Sequence, residues 1–157
     1  MENSEMNEDL KGQFMTAAFD QAQKSYLEGG IPIGSVLVHN NQIVGAGHNQ
    51  RVQRNSVVLH GEMDALENAG RRSAKFYREC TLFTTLSPCP MCAGTVRLYG
   101  IPRVIIGENR TFLGDEVALR NSGVEVVVVD DSRCYELMQR FISEHSALWN
   151  EDIGESF

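Results

Sequence analysis

The sequence predicts an α/β domain, a three-layer α/β/α sandwich around a central mixed sheet, and three observations predict it. Two short apolar runs, Ser35 to His39 and Ile43 to Gly47, flank the turn pair Asn40-Asn41, the pattern of a β-hairpin. Beyond the hairpin, β-branched apolar runs alternate with amphipathic stretches, which gives a sheet with helices on both faces. Gly29-Gly30, Gly70 and Gly100 each follow the last residue of a helical pattern and stop it.

Residues 1–10 are polar, and from Phe14 the apolar residues Ala17, Ala18, Ala22, Tyr26 and Leu27 recur at helical spacing. Ile31-Pro32-Ile33-Gly34 leads into the hairpin, where His39 lies at the turn and is read as solvated. His48-Asn49 ends the second strand, and a polar segment from Gln50 to Ser56 follows. Gly61 to Ala69 reads as a helix with Met63, Ala65 and Leu66 apolar and with Asp64 and Glu67 on its solvated face. Cys80 to Leu86 is apolar and β-branched enough for a buried strand, and Met91 to Tyr99 is a second helix ended by Gly100-Ile101-Pro102. Arg103 to Gly107 and Gly123 to Val129 are further strands; the run Val126 to Val129 reads as an interior strand buried on both faces. Glu108 to Ser122 between them is a loop with one helical turn, and Phe112 is its only aromatic. Tyr135 to Ile142 makes the last helix, Cys134 packs at its start, and Ser143 to Phe157 is a tail.

The chemistry lies in His60-Gly61-Glu62 and Pro88-Cys89-Pro90-Met91-Cys92. One histidine and two cysteines are good zinc ligands, and a three-ligand zinc keeps its fourth position open for water. Cys89 and Cys92, three apart, fall on one helix face. His60 and Glu62, two apart, would diverge on a regular helix, so His60 is expected at or just before an N-cap. Cys89 likewise should open a helix whose positive end favours its thiolate. A dication with two thiolates and a neutral imidazole is formally neutral, so its water is only partly acidified and needs a nearby base, for which Glu62 is placed. A lone C-x-x-C is often half of a structural zinc site or a redox pair, and a lone H-x-E is commonly surface polarity. A structural four-ligand site would need Cys80 or Cys134, and neither has ligand spacing. Together, H-x-E followed by P-C-x-x-C matches the pattern of zinc-dependent base deaminases, in which the Glu carries protons.

At 157 residues, 42% hydrophobic and 22% charged, the chain suits one domain, 1–157, with an ordinary core. The net charge of −7 and pI near 5.1, with no cluster of Lys or Arg, argue against nucleic acid as the partner. No apolar run approaches a membrane span, and Met1 to Leu10 is unlike a signal peptide. A cytoplasmic protein with reduced thiols and no membrane partner is expected.

From about Phe14 to Glu155 the chain resembles the fungal-type cytosine deaminases of the cytidine deaminase-like superfamily. The stretches that carry the likeness are Glu28-Gly29-Gly30-Ile31-Pro32-Ile33-Gly34, Gly47-His48-Asn49, Thr84-Thr85-Leu86-Ser87-Pro88-Cys89, Tyr99-Gly100-Ile101-Pro102-Arg103, Gly107-Glu108-Asn109, and Trp149 with Glu151-Asp152-Ile153-Gly154-Glu155. The resemblance implies one zinc ion per chain on His60, Cys89 and Cys92, a homodimer, and a small-molecule substrate, with Glu62 moving protons while zinc-bound hydroxide attacks C4 of cytosine. It also implies base contacts by Asn49, the backbone of Gly61, Asp152 and the carbonyl of Ser87. Ile33, Leu86, Phe112 and Trp149 would be apolar walls, and residues 147–157 a lid. Two positions depart from the family pattern. Asn150 follows the tryptophan where an aromatic is usual, which would widen the pocket or add a hydrogen bond and leaves creatinine or isocytosine as alternative substrates. Pro90 stands where a polar residue is common, which bears on helix geometry. A nucleoside or tRNA deaminase and a non-catalytic zinc module are the remaining alternatives.

Overall fold

The structure, a computed structural model, describes residues 6–155. Helix α1 (Glu8–Leu27) starts earlier than its apolar periodicity suggests, because Asn7 caps it: the side-chain oxygen accepts from Leu10 N at 2.8 Å, a contact worth about 1 kcal/mol. The expected polar extension is therefore cut short, and of it residues 1–5 lie outside the described residues. Strands β1 (Gly34–His39) and β2 (Gln42–His48) form the hairpin. Asn40 and Asn41 both take positive φ, 50° and 58°, the backbone that a two-residue turn with right-handed strand twist requires.

Helix α2 (Gly61–Ala69) crosses to the first face of the sheet, and a short helix α3 (Ala74–Arg78) precedes β3 (Cys80–Leu86). The five residues of α3 are too few to show a period; it rests on a cap from Ser73 Oγ to Phe76 N and on Tyr77, whose hydroxyl donates to Gly70 O at 2.8 Å. Then come α4 (Pro90–Tyr99), β4 (Arg103–Glu108), α5 (Glu116–Asn121), β5 (Glu125–Val128) and α6 (Ser132–Asp152). The strands lie in the order β2-β1-β3-β4-β5; β1 runs antiparallel to β2 and β3, and β3, β4 and β5 are parallel. The sheet is mixed, as expected.

Period-two alternation makes two cores. Leu37, Leu82, Val104 and Ile106 face α2, α4 and α5 through Ala69, Ala93, Val96 and Leu119. Val36, Val38, Phe83 and Ile105 face the other way, onto Phe14, Met15 and Ala18 of α1 and Cys134 of α6. The three layers follow. β3, buried at every residue, is the central strand.

Three expectations are corrected. The valine run is an edge strand: β5 pairs with β4 alone, and Val126 to Val128 are half-buried, not interior. Its valines alternate between the two cores, Val126 and Val128 against one and Val127 against the other, which accounts for the apolar run without a second neighbour. Asp64 is not solvated but buried, and its Oδ2 accepts from His48 N at 3.0 Å and Gln50 Nε2 at 3.2 Å. α2 reaches that close to β2 because Gly47 has no side chain; a Cβ there would lie 2.5 Å from Ala65 N. Finally, the tail is helical as far as Asp152, interrupted only at His145 (φ −143°, ψ 54°). The polar stretch Ser143 to Ala147 hides the period, but Leu148, Trp149 and Ile153 beyond it pack against Ile31, Ile33 and Leu86. Residues 156 and 157 of the expected lid segment lie outside the described residues.

Candidate active site

Two helix starts meet beyond the end of β3. His60 is the N-cap of α2 with extended backbone (φ −62°, ψ 165°), and Cys89 is the N-cap of α4 (φ −67°, ψ 172°) with Pro90 in the first turn; neither uses its side chain as a cap. Both side chains are thereby left to face each other. His60 Nδ1 lies 3.4 Å from Cys89 Sγ and 3.7 Å from Cys92 Sγ. A tetrahedral zinc with ordinary bond lengths separates its nitrogen and sulfur ligands by about 3.5 Å, so the three donors fit the ion as they stand. Among the described residues they are the group of this kind. Cys80 and Cys134 are buried elsewhere, and their thiols are pushed up to about 12, chiefly by that burial.

The protons of the cluster are unevenly shared. The Cys89 thiol is drawn down to about 4, first by the hydrogen bond from Cys92 and then by His60. Cys92 is correspondingly pushed up, by Cys89 and by burial. Burial opposes charge on His60, but Asp152 and Cys89 beside it outweigh this and raise it to about 10. Without a metal, the site is a thiolate holding an imidazolium and a thiol, and a dication would displace both remaining protons.

Glu62, one residue into α2, is buried, and burial raises its carboxyl above the usual range despite the opposing pull of Cys92, His60 and Thr84. Its Oε1 accepts from Thr84 Oγ1 in a short hydrogen bond, and Thr84 Oγ1 lies 3.0 Å from Ser35 Oγ. Oε1 is thus held by β3, and the Cys92 thiol also bonds to this carboxyl. Glu62 lines a pocket together with Ile33, His60, Leu86, Ser87, Cys89, Phe112, Trp149, Asp152 and Ile153. The pocket is small and its exposed lining is mostly apolar.

Asp152 is the hub of the lid side. Oδ1 lies 3.3 Å from His60 Nε2 and accepts from Arg51 Nε at 2.8 Å; Oδ2 accepts from Asn49 Nδ2 at 3.1 Å. These cationic and amide neighbours hold the carboxyl below the usual carboxylate range against the effect of burial. Asn49, wholly buried, also accepts from Arg51 N through Oδ1 at 2.9 Å. Phe112 meets Trp149 edge to face, centroids 6.2 Å apart. Gly61 opens α2 against Ile33, whose carbonyl oxygen would lie 3.0 Å from an added Cβ, so a side chain there would displace a pocket wall.

Most of the expected residues line this pocket; Asn49, Gly61, Cys92 and Asn150 stand next to lining residues without lining it themselves, and the Asn150 carbonyl accepts from Glu155 N. Ile153 lines the pocket as well. Thr84, Arg51 and Glu116 were not anticipated. Glu116 is buried, accepts from Ser87 Oγ at 2.6 Å and Asn109 Nδ2 at 3.2 Å, and so steadies the segment carrying the Ser87 carbonyl. The capital for finding Arg51 was its place two residues after Asn49, but its partner stands 101 residues away; Glu116 lay in what reads as a loop.

A mixed sheet with a histidine, two cysteines and a buried carboxylate at the starts of two helices defines the zinc-dependent base deaminases as a class. The family model for the cytidine and deoxycytidylate deaminase zinc-binding region matches residues 8–108, and the chain belongs to that family. It is 55% identical over 149 residues to the cytosine deaminase of Candida albicans, covering 94% of this chain and 98% of that one. A tRNA-specific adenosine deaminase of Streptococcus pyogenes is 39% identical over 102 residues, 64% of either chain. The solved dCMP deaminase of cyanophage S-TIM5 superimposes with a TM-score of 0.62 at 26% identity, over 79% of this chain and all of that one.

Proposed function

We propose that this single-domain chain is a cytosine deaminase that hydrolyses cytosine to uracil and ammonia. The observation that carries the reading is the covered pocket: Trp149, Asp152 and Ile153, from the end of α6, line a small site together with Glu62 and two of the candidate zinc ligands. The likeness to the Candida albicans enzyme runs through nearly the whole chain, in accord with this.

His60, Cys89 and Cys92 would hold zinc, which supplies Lewis acidity that makes a water a better nucleophile near neutral pH. The base lies between Ile33 and Leu86 on one side and Phe112 and Trp149 on the other. Asn49 has one amide hydrogen engaged with Asp152 and one left for the ring carbonyl oxygen. The N–H of Gly61, in the first turn of α2, is a donor with no partner inside its helix and joins it. A carboxylate offers about four acceptor sites; Arg51, His60 and Asn49 take three on Asp152, and the fourth accepts a ring N–H. The Ser87 carbonyl takes a hydrogen from the amino group. Glu62 accepts the first proton of the attacking water and delivers it to N3 so that C4 becomes electrophilic; it then takes the second proton from the hydroxyl added at C4 and passes it to the departing amino nitrogen, so that the C4–N bond breaks as the C4 carbonyl forms. Ammonia leaves and uracil remains. Walls that exclude bulk water keep the proton with Glu62.

The alternatives creatinine and isocytosine drew on Asn150; the likeness to a cytosine deaminase through nearly the whole chain favours cytosine over them. A tRNA substrate finds no basic face in a chain of net charge −7. The proposal includes a homodimer, favoured by the exposed apolar side chains Leu98, Leu113 and Val117, and a cytoplasmic location, in keeping with four free cysteines. Among the described residues no helix is long and apolar enough to cross a membrane.

The test is ammonia release from cytosine by zinc-quantified protein, with Glu62→Ala alongside. Turnover by the parent and none by the variant is the expected result. A parent that carries zinc and releases no ammonia from cytosine would overturn the substrate.

A further inference from the structure

When a histidine binds a metal through Nδ1, its Nε2 must carry the hydrogen, and an acceptor there fixes the tautomer and the ring plane. In this chain that acceptor is Asp152, 3.3 Å from His60 Nε2, and it belongs to the last turn of α6, not to the sheet or to either motif helix. The segment 146–152 is a separate helical unit, because α6 is interrupted at His145. It is tied down by the edge contact of Trp149 with Phe112 and by Arg51, which donates from Nε to Asp152 at 2.8 Å and pairs through Nη1 with Glu151 at 3.4 Å. Arg51 is itself held by its backbone N–H on Asn49 Oδ1. Both side chains of the inner pair are largely buried, 16% and 2% exposed, so the pair is not a solvent-screened surface contact.

We propose that Arg51 is a positioning residue for the metal centre: acting through Asp152, it keeps the end of α6 closed and His60 aligned, so that lid closure and zinc retention are coupled. The inference rests on the zinc reading of the site given above. Coupling is reciprocal: anything that opens the lid loosens the metal, even where it touches no ligand. Trp149, which meets Phe112 edge to face and is neither a candidate ligand nor a hydrogen-bond partner of one, is the residue that separates this from a purely local effect of Asp152.

The experiment is zinc release from the full-length zinc-loaded protein into excess chelating dye, with circular dichroism recording that each variant is folded. Loss of an outer partner of a metal ligand costs about 10- to 100-fold in affinity, and Asp152→Ala is expected in that range. Arg51→Met and Trp149→Ala, which leave Asp152 present, are expected to release zinc several-fold faster than the parent, with Arg51→Lys between. Arg133→Met breaks the ion pair with Asp131 at the opposite end of the same helix and is expected to release zinc at the parent rate. Arg51→Met and Trp149→Ala that match the parent would overturn the coupling, as would an equal acceleration by Arg133→Met. Should Arg51→Met not fold, Arg51→Lys and Trp149→Ala decide alone. A parent that binds no zinc would overturn the zinc reading itself, a result distinct from the others.

Discussion

The two walls of the active site are built by opposite means. The metal side comes from residues at most 32 apart in sequence, set at the N-terminal ends of α2 and α4 and braced by β3, the most buried strand. The other wall comes from the far end of α6, beyond a break at His145, and is joined to the rest by the carboxylates of Glu151 and Asp152, the aromatic edge of Trp149 and an apolar contact on Ile31, Ile33 and Leu86. Helix starts on a central strand give donors that need not move; a helix end beyond a break can open. The difference teaches which half performs the chemistry and which governs access. A planar base that is enclosed on both faces must enter and leave, and only the lid side has the construction to let it.

Substitutions on the metal side should therefore abolish metal content or turnover, and those on the lid side should weaken substrate binding and speed zinc release. The largest effect is expected from Cys92→Ala, which should remove zinc and all measurable activity; metal analysis by mass spectrometry checks it. Glu62→Gln should keep zinc and lower kcat by about 10²- to 10⁴-fold, the usual contribution of a positioned acid–base group, and a variant with parental kcat would break the assignment. Zinc affinity should fall with acid. His60, raised to about 10, and Cys92, raised above its usual value, hold protons near neutrality while Cys89, at about 4, does not. Uptake then releases about two protons, and affinity changes by about 100-fold per pH unit, rising with pH; calorimetry in buffers of different ionisation enthalpy counts them. Thr84→Val removes the hydroxyl that holds Glu62 Oε1 and should lower kcat by about tenfold with KM little changed, since a hydrogen bond to a charged group is worth about 1.5–3 kcal/mol and Glu62 keeps part of its orientation from α2. Thr84→Ser should restore most of the loss. Smallest, Phe112→Ala should raise KM several-fold and, by freeing Trp149, speed zinc release to about the extent of Trp149→Ala; a drop in kcat alone would erase the division between the two sides.

How much of this was legible depends on how far apart the partners stand. His60 and Cys89 at helix starts follow from spacing and from Pro88, and both motif helices and β3 fall where their patterns indicate. Asp64 misled because helix periodicity ranks a carboxylate as outward-facing, while Gly47 on a neighbouring strand creates the room that buries it. Val126 to Val129 misled because an apolar run reports that both faces are covered and carries no information on whether the edge is. Arg51, Thr84 and Glu116 had no local signal, as each acts on a residue at least 22 positions away.

By itself the sequence determined the candidate zinc ligands, the alternation of helices and strands, and thus the class of reaction, because these rest on short-range chemistry and on periods of two and 3.6. Only the tertiary structure decided that α6 runs on as a helix to Asp152 and that Asp152 stands beside His60, Arg51 and Asn49. Those are relations between segments about 100 residues apart, and such contacts are set by packing of the whole chain.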